Sequence, residues 1–282
     1  MTDVAYTFPE RLTAEPVAQT AVLARICVRP PYFALEHLRL EGDLFVAEAR
    51  AELPRGLTLA PMRPGDLRRH GAIAGLCALA LRQRDDARRY YLATRATFTG
   101  LPSSAPYGAP LRFEAAVTEL GKRDARALVT AYHQDERVAV LDVGYSVLSA
   151  TLFERLNAPR RQPTGRGAFA PLAAQDVSWG GNTGVLRIPA LPAELCAGHF
   201  DGFPAAPVAL LMDQLAGLGE RLVGRPCHPA WGEIRADRLV WAGDEVVFRV
   251  TRTGGSLHET QLEGEITSGG EPVGQATFTL HH

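Results

Sequence analysis

Neither sign of charge dominates this sequence: 30 lysines and arginines stand against 31 aspartates and glutamates, leaving a net charge of −1. So nearly neutral a chain offers no electrostatic footprint for nucleic acid or an anionic membrane, and neither is expected as a partner. Long apolar runs are lacking as well. No window approaches the ~18 uncharged apolar residues of a membrane-spanning helix. Asp3, Glu10, Arg11, Glu15 and Arg25 break up the region where a secretory signal would need an apolar core, so a cytoplasmic protein is expected. Cysteine is scarce. Cys27, Cys77, Cys196 and Cys227 show neither the paired spacing of a disulfide frame nor the tight spacing of a zinc site, so buried free thiols are expected, with no metal and no cofactor. There is no GxSxG elbow, and the WGGNTG run from Trp179 to Gly184 lacks the lysine of a phosphate loop and reads as a turn.

What is present is an ordinary globular composition, 46% hydrophobic and 22% charged over 282 residues. The pattern predicts a strand around Ala21–Val28, then a strand pair over Leu38–Leu53 turning at Gly42-Asp43. A helix is predicted over Leu67–Arg84 with Asp66 as its N-cap, burying Ile73, Leu76, Cys77, Ala80 and Leu81 on one face. Strands follow at Tyr90–Phe98, Leu111–Leu120, Ala125–His133 and Val138–Leu148, the last three as an antiparallel meander. The Pro- and Arg-rich run NAPRRQPTGRG from Asn157 to Gly167 reads as a connector.

After the connector the same order of elements returns. A strand near Val185–Ile188 precedes a helix at Pro207–Val223. Strands then fall near Glu233–Trp241, Glu245–Val250, His258–Thr267 and Val273–Leu280, with a hairpin turn at Gly269-Gly270. Val117–Gly121 aligns with Val250–Gly254, and Leu148 with Leu280. An internal duplication accounts for this: one unit at 1–152, a linker at 153–176 and a second unit at 177–282. Each unit would wrap an antiparallel sheet around one long helix, with the sheets edge to edge.

The segment before and within the second helix carries the chemistry. His199 lies in a Gly/Pro-rich approach, and Asp213 stands alone among leucines, where a bare carboxylate is costly unless it has a partner or a task. His199, Phe200, Gly202, Pro204, Pro207, Leu210 and Asp213 together resemble the active-site motif of the β-hydroxyacyl-acyl-carrier-protein dehydratases, and the aspartate is similar to the β-hydroxydecanoyl branch. The resemblance implies an α+β double hotdog that acts on the acyl thioester of an acyl carrier protein or coenzyme A, with association into a homo-oligomer left open. Dehydration of a 3-hydroxyacyl thioester is the activity it implies: His199 the base at C2, Asp213 the acid for the departing hydroxyl, and the amides of Val208 and Ala209 the donors to the thioester carbonyl. Gly202 and Pro207 shape that substrate site. The family has glycine where this chain has Val208, and Asp201 and Phe203 change charge and bulk beside the histidine.

The duplication complicates this scheme. In such a fold the histidine of one unit faces the acid of the other, yet aligning Ile73 with Met212 sets Asp213 on Ala74 and His199 on Ala60. His70 is the candidate replacement base, with Gly71 beside it leaving room for a ligand; the plainer reading makes Arg68, Arg69 and His70 polar residues of a surface turn. Two further functions stay open: a thioesterase in which Asp213 activates water, and a non-catalytic unit that binds an acyl carrier protein.

Overall fold

The computed structural model describes residues 14–162 and 177–282. The chain opens with β1 (Ala14–Pro16), α1 (Gln19–Arg25), β2 (Glu36–Glu41) and β3 (Leu44–Ala49). The first long helix, α2 (Pro64–Arg82), leads to β4 (Arg89–Gly100) and the meander β5 (Leu111–Leu120), β6 (Asp124–His133) and β7 (Glu136–Ser149). Then come α3 (Ala150–Leu156) and a single 3-10 turn at Ala158–Arg160, inside the stretch expected as connector; positions 163–176 of that connector lie outside the described residues. The second half holds β8 (Val177–Gly180), β9 (Thr183–Ile188), α4 (Val208–Val223), β10 (His228–Ala236), β11 (Val246–Gly255), β12 (Glu259–Ser268) and β13 (Glu271–His281).

Among the described residues all thirteen strands join one antiparallel sheet in the order β1-β2-β3-β5-β6-β7-β4-β10-β13-β12-β11-β9-β8. Reading outward from the β4–β10 seam gives the same sequence of elements in either direction apart from the extra edge strand β1, as a duplication would. The seam pairs Trp231 with Thr99 through Arg235 with Arg95, and the Arg95–Glu233 ion pair (3.0 Å) crosses it. Each half buries its helix against its own sheet. One core surrounds Ile73, Cys77 and Leu79 of α2, and the other surrounds Met212, Leu215 and Leu218 of α4. A third cluster, with Tyr90 stacked on Phe153 at 3.7 Å and edged by Phe200 and Phe203, ties α3 and β4 to the loop before α4.

Four expectations need correction. The segment predicted as a strand at 21–28 is helical as far as Arg25, in α1, where only Val22 is buried and the alternate burial of a half-covered strand is absent; the chain is extended from Ile26, which bridges to Arg89. α2 begins at Pro64, two residues before Asp66, and Asp66 does not cap it: its Oδ2 accepts from the Glu52 and Leu53 amides. Finally, α2 is buried on nearly every side, so Arg68, Arg69 and His70 belong to the interior and not to a surface turn. The tenth strand lies upstream of its expected position, at His228–Ala236, because the chain pairs with β4 and β13 at once directly after the α4 cap. The four cysteines are buried and free.

Candidate functional site

The two long helices pack against each other, and each presents its N-terminus to the interface. Helix N-termini leave amide groups without intrahelical partners and carry a partial positive charge, so how each end is satisfied decides what it can do.

The α2 end is satisfied from across the interface. Asp213, only 3% exposed, accepts a hydrogen bond on Oδ1 from the Gly65 amide at 3.1 Å and a second from Arg63 Nε at 3.3 Å. Gly65 has to be glycine here: a Cβ would lie 2.5 Å from the Asp213 Cβ. Those two donors offset the cost of burying the carboxylate. Oδ2 makes no hydrogen bond among the described residues. Glu220, about two turns further along α4, lies close enough to feel the Arg63 charge without forming an ion pair with it among the described residues, and its Oε1 is buried with no hydrogen-bond partner. The loop that carries Arg63 is pinned to the second half through Leu59 N to Cys227 O (2.8 Å) and Cys227 N to Leu57 O (3.1 Å). Burial pushes the Asp66 and Glu220 carboxyls up to about 7 each, with the Asp213 charge adding to the rise and Arg63 opposing it.

The α4 end is different. Pro207 precedes it, and the first amide to find a carbonyl is that of Leu210, on Pro207 O at 3.0 Å. The amides of Val208 and Ala209 have no partner among the described residues. Both residues line an apolar cavity of about 40 Å³ between the halves, walled by Ala72, Phe98, Leu141 and Met212, with Arg68 inside it. Ala209 and Asp213 are four residues apart and share one face of α4, so the cavity starts one turn from the carboxylate.

The histidines are placed elsewhere. The His199 ring bonds through Nδ1 to Ala205 O at 2.8 Å, stacks on Phe200 at 3.9 Å and meets the edge of Tyr32 at 5.0 Å. Burial pushes its pKa down to about 4, against the Ala205 bond. His70 lies between Arg69 (Nη2 to Nε2, 3.4 Å), Glu52 (3.7 Å) and the ring of Phe113, and burial together with the Arg69 charge holds its pKa well below the usual histidine range. Among the described residues neither histidine bonds to Asp213, so the expected pairing gives way to the Arg63 and Gly65 contacts. Counted from the helix starts, the sixth residue of α4 is Asp213 and the sixth of α2 is Arg69, so a cation occupies the matching place in the first half. Gly71 gives no ligand access either: a Cβ there would meet Leu141 at 2.9 Å. Gly202 takes a turn conformation at φ 77°, and its carbonyl accepts from the Gln162 amide at 3.0 Å.

Sequence reasoning did not find Arg63, Gly65, Arg68 or Glu220. The signal for the last was a second acid seven residues after Asp213, which places both on nearly the same helical face. Among the described residues, Glu52, Asp66 and His70 bring potential ligand atoms within 4.8 Å of one another. A cation is already there, since the Arg69 guanidinium contacts both Glu52 and His70.

Comparison with known proteins rests on shape. No protein-family model matches the chain, and no curated protein matches its sequence. A protein of Alicyclobacillus acidocaldarius whose structure is described by its hot dog fold superposes with a TM-score of 0.52 at 14% identity, over 86% of this chain and 94% of its own. The fold is a double hotdog. A provisionally assigned oleoyl thioesterase of Lactobacillus plantarum is similar at a TM-score of 0.60 and 13% identity, covering 84% of this chain and 96% of that one. The 12:0-ACP thioesterase of Umbellularia californica is similar at 0.58 and 10%, covering 86% and 95%. At such identities the likeness speaks for the double hotdog itself, and the chemistry has to be argued from the interface between its helices.

Proposed function

We propose that this double hotdog hydrolyses an acyl thioester, with Asp213 as the base that activates water and the Val208 and Ala209 amides as donors to the carbonyl. The observation that carries this reading is the single carboxylate: Asp213 is anchored through Oδ1, has Oδ2 free of protein donors, and lies one turn from two unpartnered helix-terminal amides. Hydrolysis needs one base, a water and a carbonyl site. Dehydration needs in addition a separate group at C2, and His199, bound to Ala205 O and packed between Phe200 and Tyr32, has no acid partner among the described residues.

In the hydrolytic step Asp213 takes a proton from water as the water oxygen bonds to the thioester carbon. Negative charge gathers on the carbonyl oxygen, where the α4 amides and the helix N-terminus stabilise it. The C–S bond then breaks, and the leaving thiolate takes the proton back from Asp213. The names of two structural neighbours, an oleoyl and a 12:0-ACP thioesterase, belong to the same reaction class. Their names indicate long acyl chains, whereas a cavity of about 40 Å³ suits a short one.

The test is to incubate the protein with short acyl, 3-hydroxyacyl and enoyl thioesters while following free thiol and enoyl absorbance together. Thiol release without a change in enoyl absorbance is expected. Enoyl formation or loss without thiol release would return the dehydratase reading. A second reading, a non-catalytic carrier-binding unit, is favoured by the capping role of Asp213 on Gly65; absence of change in either signal would select it.

A further inference from the structure

Arg68 is the buried cation that the proposed hydrolysis does not use. It is 8% exposed, and its Nη1 has no hydrogen-bond partner. Its guanidinium lies over the Phe98 ring at 4.7 Å and lines the same cavity as the α4 amides. Burial pushes its pKa down to about 10, with Asp213 and Glu220 pulling the other way, so it carries its charge at neutral pH. Neither of those acids forms an ion pair with it among the described residues. Glu233, the one carboxylate on the cavity wall among the described residues, is engaged by Arg95 at 3.0 Å and Arg235 at 3.4 Å.

A buried, charged guanidinium with an unused donor beside two unused helix-terminal amides is a setting that recognises oxygen anions. The other end of the helix pair shows the same chemistry satisfied internally: there the second amide of α2 and an arginine, Arg63, together hold a carboxylate, that of Asp213. At the α4 end the Ala209 amide and the Arg68 guanidinium line one cavity and no protein carboxylate joins them among the described residues, which leaves each for a separate oxygen of one ligand. A ligand for this end must be small, since the cavity measures only about 40 Å³. It must also carry apolar carbons against Phe98, Leu141 and Met212.

We propose that Arg68 binds a carboxylate at the far end of a short acyl group, so that the substrate class is the thioester of a small dicarboxylic acid. This rests on the hydrolysis reading for the word substrate, though the carboxylate site itself does not. The carbonyl oxygen takes the Val208 and Ala209 amides while the distal carboxylate takes the Arg68 guanidinium, whose Nη2 lies 3.8 Å from the place of a Cβ on Gly232 in the cavity wall. Asp213 then stands one helical turn, about 5.4 Å, from Ala209.

The experiment compares succinyl and butyryl thioesters of N-acetylcysteamine, equal in chain length and different in the terminal charge. In the full chain kcat/KM for the succinyl compound is expected to exceed that for the butyryl compound at least about tenfold, as a charge-assisted hydrogen bond would give. In Arg68→Met the ratio is expected to collapse to near one or below. Because the ratio is internal to each protein, a general loss of stability does not mimic it. Should Arg68→Met fail to fold, calorimetry on the unsubstituted protein keeps the proposal testable: propionate should bind and the neutral propionamide should not. A succinyl-to-butyryl ratio of one or less, or propionate bound no more tightly than propionamide, overturns the proposal. No turnover of any thioester, with propionate still bound and binding lost in Arg68→Met, supports the carboxylate site and overturns hydrolysis instead.

Discussion

The two helix N-termini at the centre of this molecule have the same geometry and opposite fates. At α2 the terminal amide is taken by a side chain of the other half, Asp213, with Arg63 beside it and no room for a Cβ at Gly65. At α4 the amides of Val208 and Ala209 open into an apolar cavity with an arginine in its wall. A duplicated fold begins with two equivalent sites, and here one has become a joint between the halves while the other has kept its space. The acid that closes the first is also the acid nearest the second. Under the proposed hydrolysis, the carboxylate used at the open end is thus anchored by the closed one.

Breaking the open end alone should have the larger effect on activity. Val208→Pro removes one amide donor at the first helical position, where proline's fixed φ is tolerated, and the preceding Pro207 already has the extended ψ of 137° that a following proline requires. Turnover of short acyl thioesters should fall about 100-fold or more. The melting temperature should stay within a few degrees, so kinetics and a thermal melt on the same sample separate the two effects.

Breaking the closed end should be felt first in stability. Gly65→Ala sets a methyl group against Asp213 and should cost about 1–3 kcal/mol, read by denaturant unfolding. If the joint positions the base as described, activity falls too, though less than in Val208→Pro. Unchanged stability would show that α2 can move off Asp213 without consequence.

A smaller effect concerns pH. Asp66 and Glu220 are pushed up to about 7 from ordinary values of 3.8 and 4.5. Below about 4 both folded and unfolded chains hold these protons; as pH rises the unfolded chain gives them up first, so stability declines until the folded groups ionise near 7. His199, pushed down to about 4, and His70 act in the opposite sense below 6.5, so the decline is clearest between about pH 6.5 and 7. Glu220→Gln should flatten this part of a melting-temperature profile, and an unchanged slope would remove Glu220 as its source.

The sheet was legible because β5, β6, β7, β12 and β13 each bury alternate residues, a period of two that composition cannot disguise. Element order exposed the duplication, and the lone Asp213 among leucines marked the interface. Its partners were not readable, because Arg63 and Gly65 lie about 150 positions away and meet it only through helix packing. The dehydratase-like spacing of His199 and Asp213 joins two residues that the duplication sends to different ends: His199 toward Tyr32 of the first half, and Asp213 toward Arg63. Asp66 misled as an N-cap since its carboxylate serves two amides of the preceding loop. α2 was harder still, because a helix buried all round can carry Arg68, Arg69 and His70 only through contacts from outside its own sequence.

The most direct test of the account is Asp213→Asn, with unfolding and thioester turnover measured on the same preparation. The amide oxygen of asparagine can still accept from the Gly65 amide, and the base is gone. Stability is expected to fall by only about 1–2 kcal/mol, and kcat/KM at least about 100-fold. Turnover near that of the unsubstituted protein, with or without a loss of stability, would contradict it and leave Asp213 as a joint between two helices and nothing more.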